Sequence, residues 1–106
     1  MKSFEIYIAY VAWESDGKRR PILVLADEDK HVAALRITTQ FDNKGRQIRS
    51  KYMKIVEWDY AGLKQPSYID TWEYIRVSKN LVDKAPIGKL SAKDKLSLEK
   101  MLNGDS

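Results

Sequence analysis

The sequence has 106 residues, of which 43% are hydrophobic and 32% are charged, a composition typical of a single soluble globular domain over residues 1–106. It has no cysteine, which excludes disulfides and thiolate metal sites, and no paired metal-ligand spacing, so we expect neither a metal nor a cofactor. No apolar run approaches the ~20 residues of a membrane span and no signal peptide is recognisable, so we expect a cytoplasmic protein without membrane contact.

The first third of the chain predicts three strands, over residues 4–13, 21–26 and 32–38. In the first, Phe4, Ile6, Ile8, Tyr10 and Ala12 share one face, and the other face is also largely apolar, so we expect a strand covered on both sides along part of its length. The second follows a polar loop over residues 14–19 and begins at Pro21, which suits the first position of a strand. A charged turn over residues 27–31 separates the second strand from the third.

The second and third strands are expected to form an antiparallel hairpin. A turn centred on Asp29 predicts the pairs Ala26–Val32, Ile22–Arg36 and Arg20–Thr38. A slip of one residue would put Thr39 or Ile37 in place of Thr38. With Thr38 or Thr39 opposite Arg20, a guanidinium group and a threonine hydroxyl meet at the open end of the hairpin.

The rest of the chain predicts further short strands over residues 52–58, 67–69 and 74–78, one helical turn over residues 71–73, and a C-terminal helix. Ser91 is placed to cap this helix, which Asn103–Gly104 ends. Its apolar stripe consists of Leu98, Met101 and Leu102. Five or six mostly antiparallel strands with one helix predict a mainly β fold, with a small, strongly bent sheet or barrel.

Positive charge is unevenly distributed along the chain, whose formal net charge is +4. Residues 44–54 hold no acid and five cations: Lys44, Arg46, Arg49, Lys51 and Lys54. Such a run is compatible with contacts to a polyanionic partner or with a solvated face. Trp13 is a candidate for the edge of a site, because it lies near Arg20 if the first two strands pair. Base stacking and core packing are both open for Tyr52, Trp58, Tyr68 and Trp72.

Four segments, in this order and at this spacing, resemble the MazF/PemK family of toxins from type II toxin–antitoxin modules: residues 17–25, 34–39, 61–69 and 87–91. The resemblance implies an SH3-like small barrel of the MazF/CcdB toxin type and a homodimer. It also implies a metal-independent endoribonuclease that cleaves single-stranded RNA and is inhibited by a cognate acidic antitoxin. The sequence departs from common members in its short first loop and in the missing Gly-Asp entry to the first strand.

In that family, the arginine before the proline and a threonine at the end of the next strand belong to the catalytic site, which implies Arg20 and Thr38 here. A guanidinium fork fits phosphate oxygens and stays charged at all relevant pH values, and a hydroxyl can donate a hydrogen bond to the same phosphate. Without the resemblance, an ion pair between Arg20 and Glu14 or Asp16 would be the simpler interpretation.

The sequence defines the residues for proton transfer and RNA binding less clearly. Glu14 and Asp16 are candidates for proton transfer, because His31 falls in the turn at the opposite end of the hairpin and is expected to be solvated. Candidates for RNA binding, besides Trp13 and the five cations of residues 44–54, are Lys18 and Arg19.

Two other functions remain open on the sequence. A CcdB-like toxin shares the expected fold and acts by protein contact without catalysis, so the fold alone does not decide the chemistry. A barrel that binds RNA without cutting it would show salt-sensitive affinity and no toxicity.

Overall fold

The computed structural model describes residues 1–13, 16–40, 45 and 50–104. In these ranges, seven strands form one curled antiparallel sheet: β1 (Glu5–Trp13), β2 (Asp16–Asp27), β3 (His31–Thr38), β4 (Tyr52–Lys54), β5 (Tyr68–Asp70), β6 (Ile75–Ser78) and β7 (Gly88–Lys89). The strand order is β4-β5-β3-β2-β1-β7, and β6 pairs with β3 beside β5. A 3-10 turn (Lys79–Leu81) follows β6, and a helix, α1 (Ala92–Leu102), follows β7. The predicted mainly β fold with a C-terminal helix is confirmed.

The second strand is longer than the sequence predicts. β2 begins at Asp16, not at Pro21, and its polar first residues continue the ladder with β1, where Trp13 faces Asp16 and Ala9 faces Arg20. The expected loop is therefore wrong for residues 16–19, which belong to the strand; residues 14 and 15 lie outside the described ranges. Strand pairing satisfies backbone hydrogen bonds whatever the side chains are, so a polar stretch without apolar alternation can still be extended. Arg20 lies inside a strand and not in a loop at the mouth of the sheet.

The hairpin of β2 and β3 follows the predicted register near its middle. Ile22 faces Arg36 as expected. Ala26 faces Ala33 instead of Val32, because the register shifts between Val24 and Ala26. A bulge of this kind adds a residue to one strand and cannot be derived from the position of the turn.

Three further expectations, at the start of β3, on β4 and after β5, are also wrong. His31 is the first residue of β3, half-buried and opposite Ser78 of β6, and not a solvated turn residue. The strand expected over residues 52–58 stops at Lys54. The helical turn expected over residues 71–73 is absent from this described segment.

The sheet buries apolar side chains on both of its faces. The face that contacts α1, here called the helix face, buries Ile6, Leu23, Leu35, Ile37 and Ile69, together with Leu98 of the helix. The opposite face buries Tyr7, Ala9, Val11, Ile22, Val24, Val32 and Ala34. Neighbouring residues of β1, β2 and β3 alternate between the two clusters, as the period of two requires.

The C-terminal helix is anchored at its first turn. Ser91 caps it as predicted, since its Oγ accepts a hydrogen bond of 3.2 Å from the backbone N–H of Asp94. The buried carboxylate of Asp94 accepts hydrogen bonds from the N–H groups of Val56 (3.0 Å) and Glu57 (2.8 Å). These bonds turn the chain away from the sheet after β4 and join the helix to the following turn.

The apolar stripe of α1 is narrower than predicted. Leu98 is fully buried and Met101 packs against the same cluster, but Leu102 is 46% exposed. The helix ends before Gly104, whose φ of +79° is a conformation that favours glycine. No helix in the described ranges is long and apolar enough to cross a membrane.

Candidate active site

Two arginines and a threonine lie on the sheet face opposite α1. Arg20 is two residues from buried Ile22 on β2, and Arg36 and Thr38 follow buried Ala34 at intervals of two on β3. Because side chains alternate along a strand, all three belong to the face that buries Ile22 and Ala34, here called the arginine face. The ladder between β2 and β3 reaches the pair Ile22–Arg36, and Arg20 and Thr38 are each two residues further along their strands.

The side chains of Arg20 and Arg36 are both largely buried. The Nε atoms of Arg20 and Arg36 are buried, and the Arg36 side chain is only 16% exposed. Its Nη1 lies 3.8 Å from Oε1 of Glu73, in the connection between β5 and β6. Charges interact more strongly where water is partly excluded, so two such cations on one face favour an anionic ligand.

Thr38 is 4% exposed and joins the arginine face to the outer strands. Its Oγ1 accepts a hydrogen bond of 3.0 Å from the backbone N–H of Gln40. A hydroxyl that accepts here still has its proton to donate, so this contact is compatible with a hydrogen bond to a phosphate. Thr38 faces Tyr68 on β5, which faces Lys54 on β4, and the row brings exposed Lys54 onto the same face.

The alternative threonine lies elsewhere. Thr39 is exposed just beyond β3 and lines a cavity of about 400 Å³ with Ile8, Pro21 and Leu63. This cavity, although the larger one, is lined mainly by apolar groups and does not include Arg20, Arg36 or Thr38. A smaller cavity of about 250 Å³ lies beside Arg36. The structure therefore puts Thr38 and not Thr39 on the face of Arg20.

Lys18 and Arg19, the two cations that precede Arg20, lie on opposite faces of the sheet. Lys18 is exposed on the arginine face, opposite Val11 of β1. Arg19 points to the other side and donates a hydrogen bond to the Asp83 carboxylate. Lys51 is exposed before β4 and presents its carbonyl to the connection between β5 and β6.

Several residues singled out by the sequence lie outside the described part of the chain. These are Glu14, Lys44, Arg46 and Arg49. In the ladder between β1 and β2, Trp13 faces Asp16. Their side chains lie outside the described part of the structure. The alternative ion pair of Arg20 with Glu14 or Asp16 involves these same side chains, so it stays a prediction.

Arg36 and Glu73 are the residues that the sequence analysis missed as site residues. For Arg36 a signal was present, because its spacing of two from Thr38 puts both on one face of a strand. Glu73 carried no comparable signal, since its contact with Arg36 depends on how β5 and β6 pair with β3. His31, in contrast, is at the other end of β3, opposite Ser78.

At the far end of the arginine face, Tyr7 faces Ile22 across β1 and β2. Burial raises the pKa of Tyr7, and so does the hydrogen bond of 2.9 Å that its hydroxyl donates to Glu5. Both effects favour the neutral form of the phenol. Within the described residues, no group of three or more His, Cys, Asp or Glu side chains is arranged to hold a metal ion.

Comparison with known proteins agrees with this architecture. The structure resembles the Mycobacterium tuberculosis toxin MazF-mt6 with a TM-score of 0.72, over 94% of this chain and 93% of that chain, at 22% sequence identity. No protein-family model matches the sequence, and no curated protein matches it. The likeness is one of fold, and it confirms the predicted MazF-type architecture.

Proposed function

We propose that this chain, which has the fold of the MazF toxins, is the toxin of a type II toxin–antitoxin pair and cleaves single-stranded RNA. One observation carries the proposal: Arg20, Arg36 and Thr38 share one face of the sheet. A fold can host unrelated activities, so the argument rests on these side chains and their chemistry.

In the proposed reaction, RNA supplies its own nucleophile. The 2′-oxygen attacks the adjacent phosphorus, the bond from phosphorus to the 5′-oxygen breaks, and a 2′,3′-cyclic phosphate remains. The 2′-hydroxyl proton passes to a base, and the departing 5′-oxygen gains a proton. Arg20 and Arg36 stabilise the negative charge of the phosphorane, and Thr38 donates a hydrogen bond that orients the phosphate.

The carboxylate of Glu73 is the proposed proton acceptor. It lies 3.8 Å from a nitrogen of the Arg36 guanidinium, so a phosphate bound at Arg36 would lie beside it. Glu14 and Asp16 remain candidates at the end of the first hairpin. The proposed chemistry uses only protein groups and the RNA, and neither a metal nor a cofactor takes part.

Electrostatics supports the proposed partners. Lys18 and Lys54 extend the arginine face along a path suited to an RNA backbone, to which Lys51, Lys44, Arg46 and Arg49 are candidate additions. Arg19, a further candidate from the sequence, lies on the other face and binds Asp83, so it is not part of this path. The same cationic face would accept the acidic segment of an antitoxin. A homodimer in the cytoplasm completes the proposal.

The test is cleavage of a long RNA by the purified protein in the presence of a chelator. We expect the wild type to cut it and Arg20→Ala to cut about 10²- to 10³-fold more slowly, because a donor aimed at the developing charge is lost. Arg76→Ala is the matched control, since Arg76 is an exposed arginine on β6 that binds Glu28. Equal cutting by the wild type and Arg20→Ala would remove Arg20 from the mechanism, and intact RNA together with growth arrest would favour a non-catalytic toxin.

A further inference from the structure

The connection between β5 and β6 is longer than the sheet requires. Both strands pair with the same edge of β3, through the pairs Ile69–Ile37 and Ile75–Ala34. Five residues, 70–74, therefore span two residues of β3, Leu35 and Arg36. The connection thus has three residues more than the pairing needs, and here, opposite Arg36, the chain leaves the ladder with β3. We call residues 71–74 the aromatic bulge.

The aromatic bulge is anchored at its base by hydrogen bonds. The backbone N–H of Thr71 donates to the carbonyl of Lys51 over 2.8 Å, and the Thr71 hydroxyl donates to the same carbonyl. The N–H of Trp72 donates to Oδ1 of buried Asp70 over 2.8 Å. Glu73 reaches Arg36. The backbone is thus held in place, and few degrees of freedom remain to be lost when a ligand binds.

Two large aromatic rings are exposed on this anchored segment. Trp72 is 59% and Tyr74 62% exposed, and they flank Glu73 in the sequence. Exposing aromatic surface gives up the burial that stabilises most such side chains. Rings held out on a rigid backbone are typical of surfaces that bind planar ligands.

From this arrangement we infer that Trp72 and Tyr74 stack on the bases of the nucleotides beside the phosphate held at Arg36 and Arg20. The inference rests on the proposed function, which supplies the RNA, and adds the residues that position its bases. Stacking needs only the π-face that every base has, so these rings grip the strand without selecting a particular sequence. Glu73, between Trp72 and Tyr74 in the sequence, lies 3.8 Å from Arg36 and so puts this segment beside the cationic face.

The test uses a single-stranded 2′-deoxy oligonucleotide, which lacks the nucleophile and is bound without being cut. Binding is measured by fluorescence anisotropy. We expect Trp72→Ala and Tyr74→Ala each to weaken affinity by about 5- to 100-fold, and Trp72→Phe to restore most of it. Tyr60→Ala is the matched control, because Tyr60 is 59% exposed in the turn after β4.

A second probe separates stacking from a general structural effect. A strand of equal length made of abasic sugar-phosphate units has the charge but no bases, so the wild type, Trp72→Ala and Tyr74→Ala should bind it equally. Unchanged affinity of both alanine variants for the base-containing strand would overturn the inference, as would an equal loss toward the abasic strand.

Cleavage of RNA by the wild type is scored separately from binding. If the wild type cuts RNA while the alanine variants bind normally, the stacking inference fails and the nuclease proposal stands. If the wild type neither binds the oligonucleotide nor cuts RNA, both fail. If the wild type binds through Trp72 and Tyr74 but does not cut, the stacking inference stands and the nuclease proposal fails.

Discussion

The two faces of the sheet are built from the same three long strands but end differently. On the helix face, the apolar row continues until α1 covers it, and Leu98 is fully buried. On the arginine face, the apolar row along β2 and β3 gives way to Arg20, Arg36 and Thr38. Burying guanidinium groups has a desolvation cost that an apolar residue would avoid. Both faces therefore provide stability through their buried apolar rows, but the arginine face gives up some of it where Arg20 and Arg36 replace apolar residues.

The contribution of the helix face to stability can be tested by removing one of its buried side chains. Leu98→Ala should lower the free energy of unfolding by about 2–5 kcal/mol, since it removes a fully buried side chain and leaves a cavity. Urea denaturation measures this, and the folded protein should still bind RNA with unchanged affinity. Leu102→Ala, at a 46% exposed position of the same helix, should cost less than about 1 kcal/mol. Similar losses for the two variants would contradict the role of Leu98.

The converse experiment replaces a charge on the arginine face. Arg36→Met keeps most of the side-chain volume and removes the guanidinium, so cleavage of RNA should slow by about 10²-fold while the free energy of unfolding stays within about 1 kcal/mol of the wild type or rises. Kinetics and urea denaturation are measured on one preparation. A large loss of stability with normal cleavage would assign Arg36 to the scaffold and reverse the comparison.

The smallest effect on stability is expected at Asp27, at the end of β2 and away from both faces. Hydrogen bonds from Lys79 and from the N-terminal ammonium hold the pKa of Asp27 below its usual value. A carboxylate with a lowered pKa stabilises the fold above its unfolded-state pKa and loses this contribution as the pH falls toward the folded-state pKa. The melting temperature of the wild type should therefore fall more steeply than that of Asp27→Asn between about pH 5 and pH 3.

Asp29→Asn is the control for this pH effect, because Asp29 lies in the exposed turn between β2 and β3. Its pH profile should follow that of the wild type. If Asp27→Asn also follows the wild type, the ion pairs at Asp27 contribute nothing measurable to acid stability.

Much of the fold could be predicted because local chemistry determines it. Alternation placed β1 and β3, and the capping by Ser91 placed α1. The errors share a physical origin in long-range contacts. β2 extends through polar residues because β1 is there to pair with them, and β4 stops early because the chain bonds to Asp94 on a distant helix.

The candidate site divides in the same way. Local periodicity is enough to put Arg20 and Thr38 on one sheet face, and the same spacing includes Arg36, since the period of a strand and the hairpin register follow from neighbouring residues. The contact of Glu73 with Arg36 and the exposure of Trp72 and Tyr74 follow from the three-dimensional fold alone. These contacts depend on how β5 and β6 share one edge of β3, and pairing between distant segments is not encoded in local periodicity.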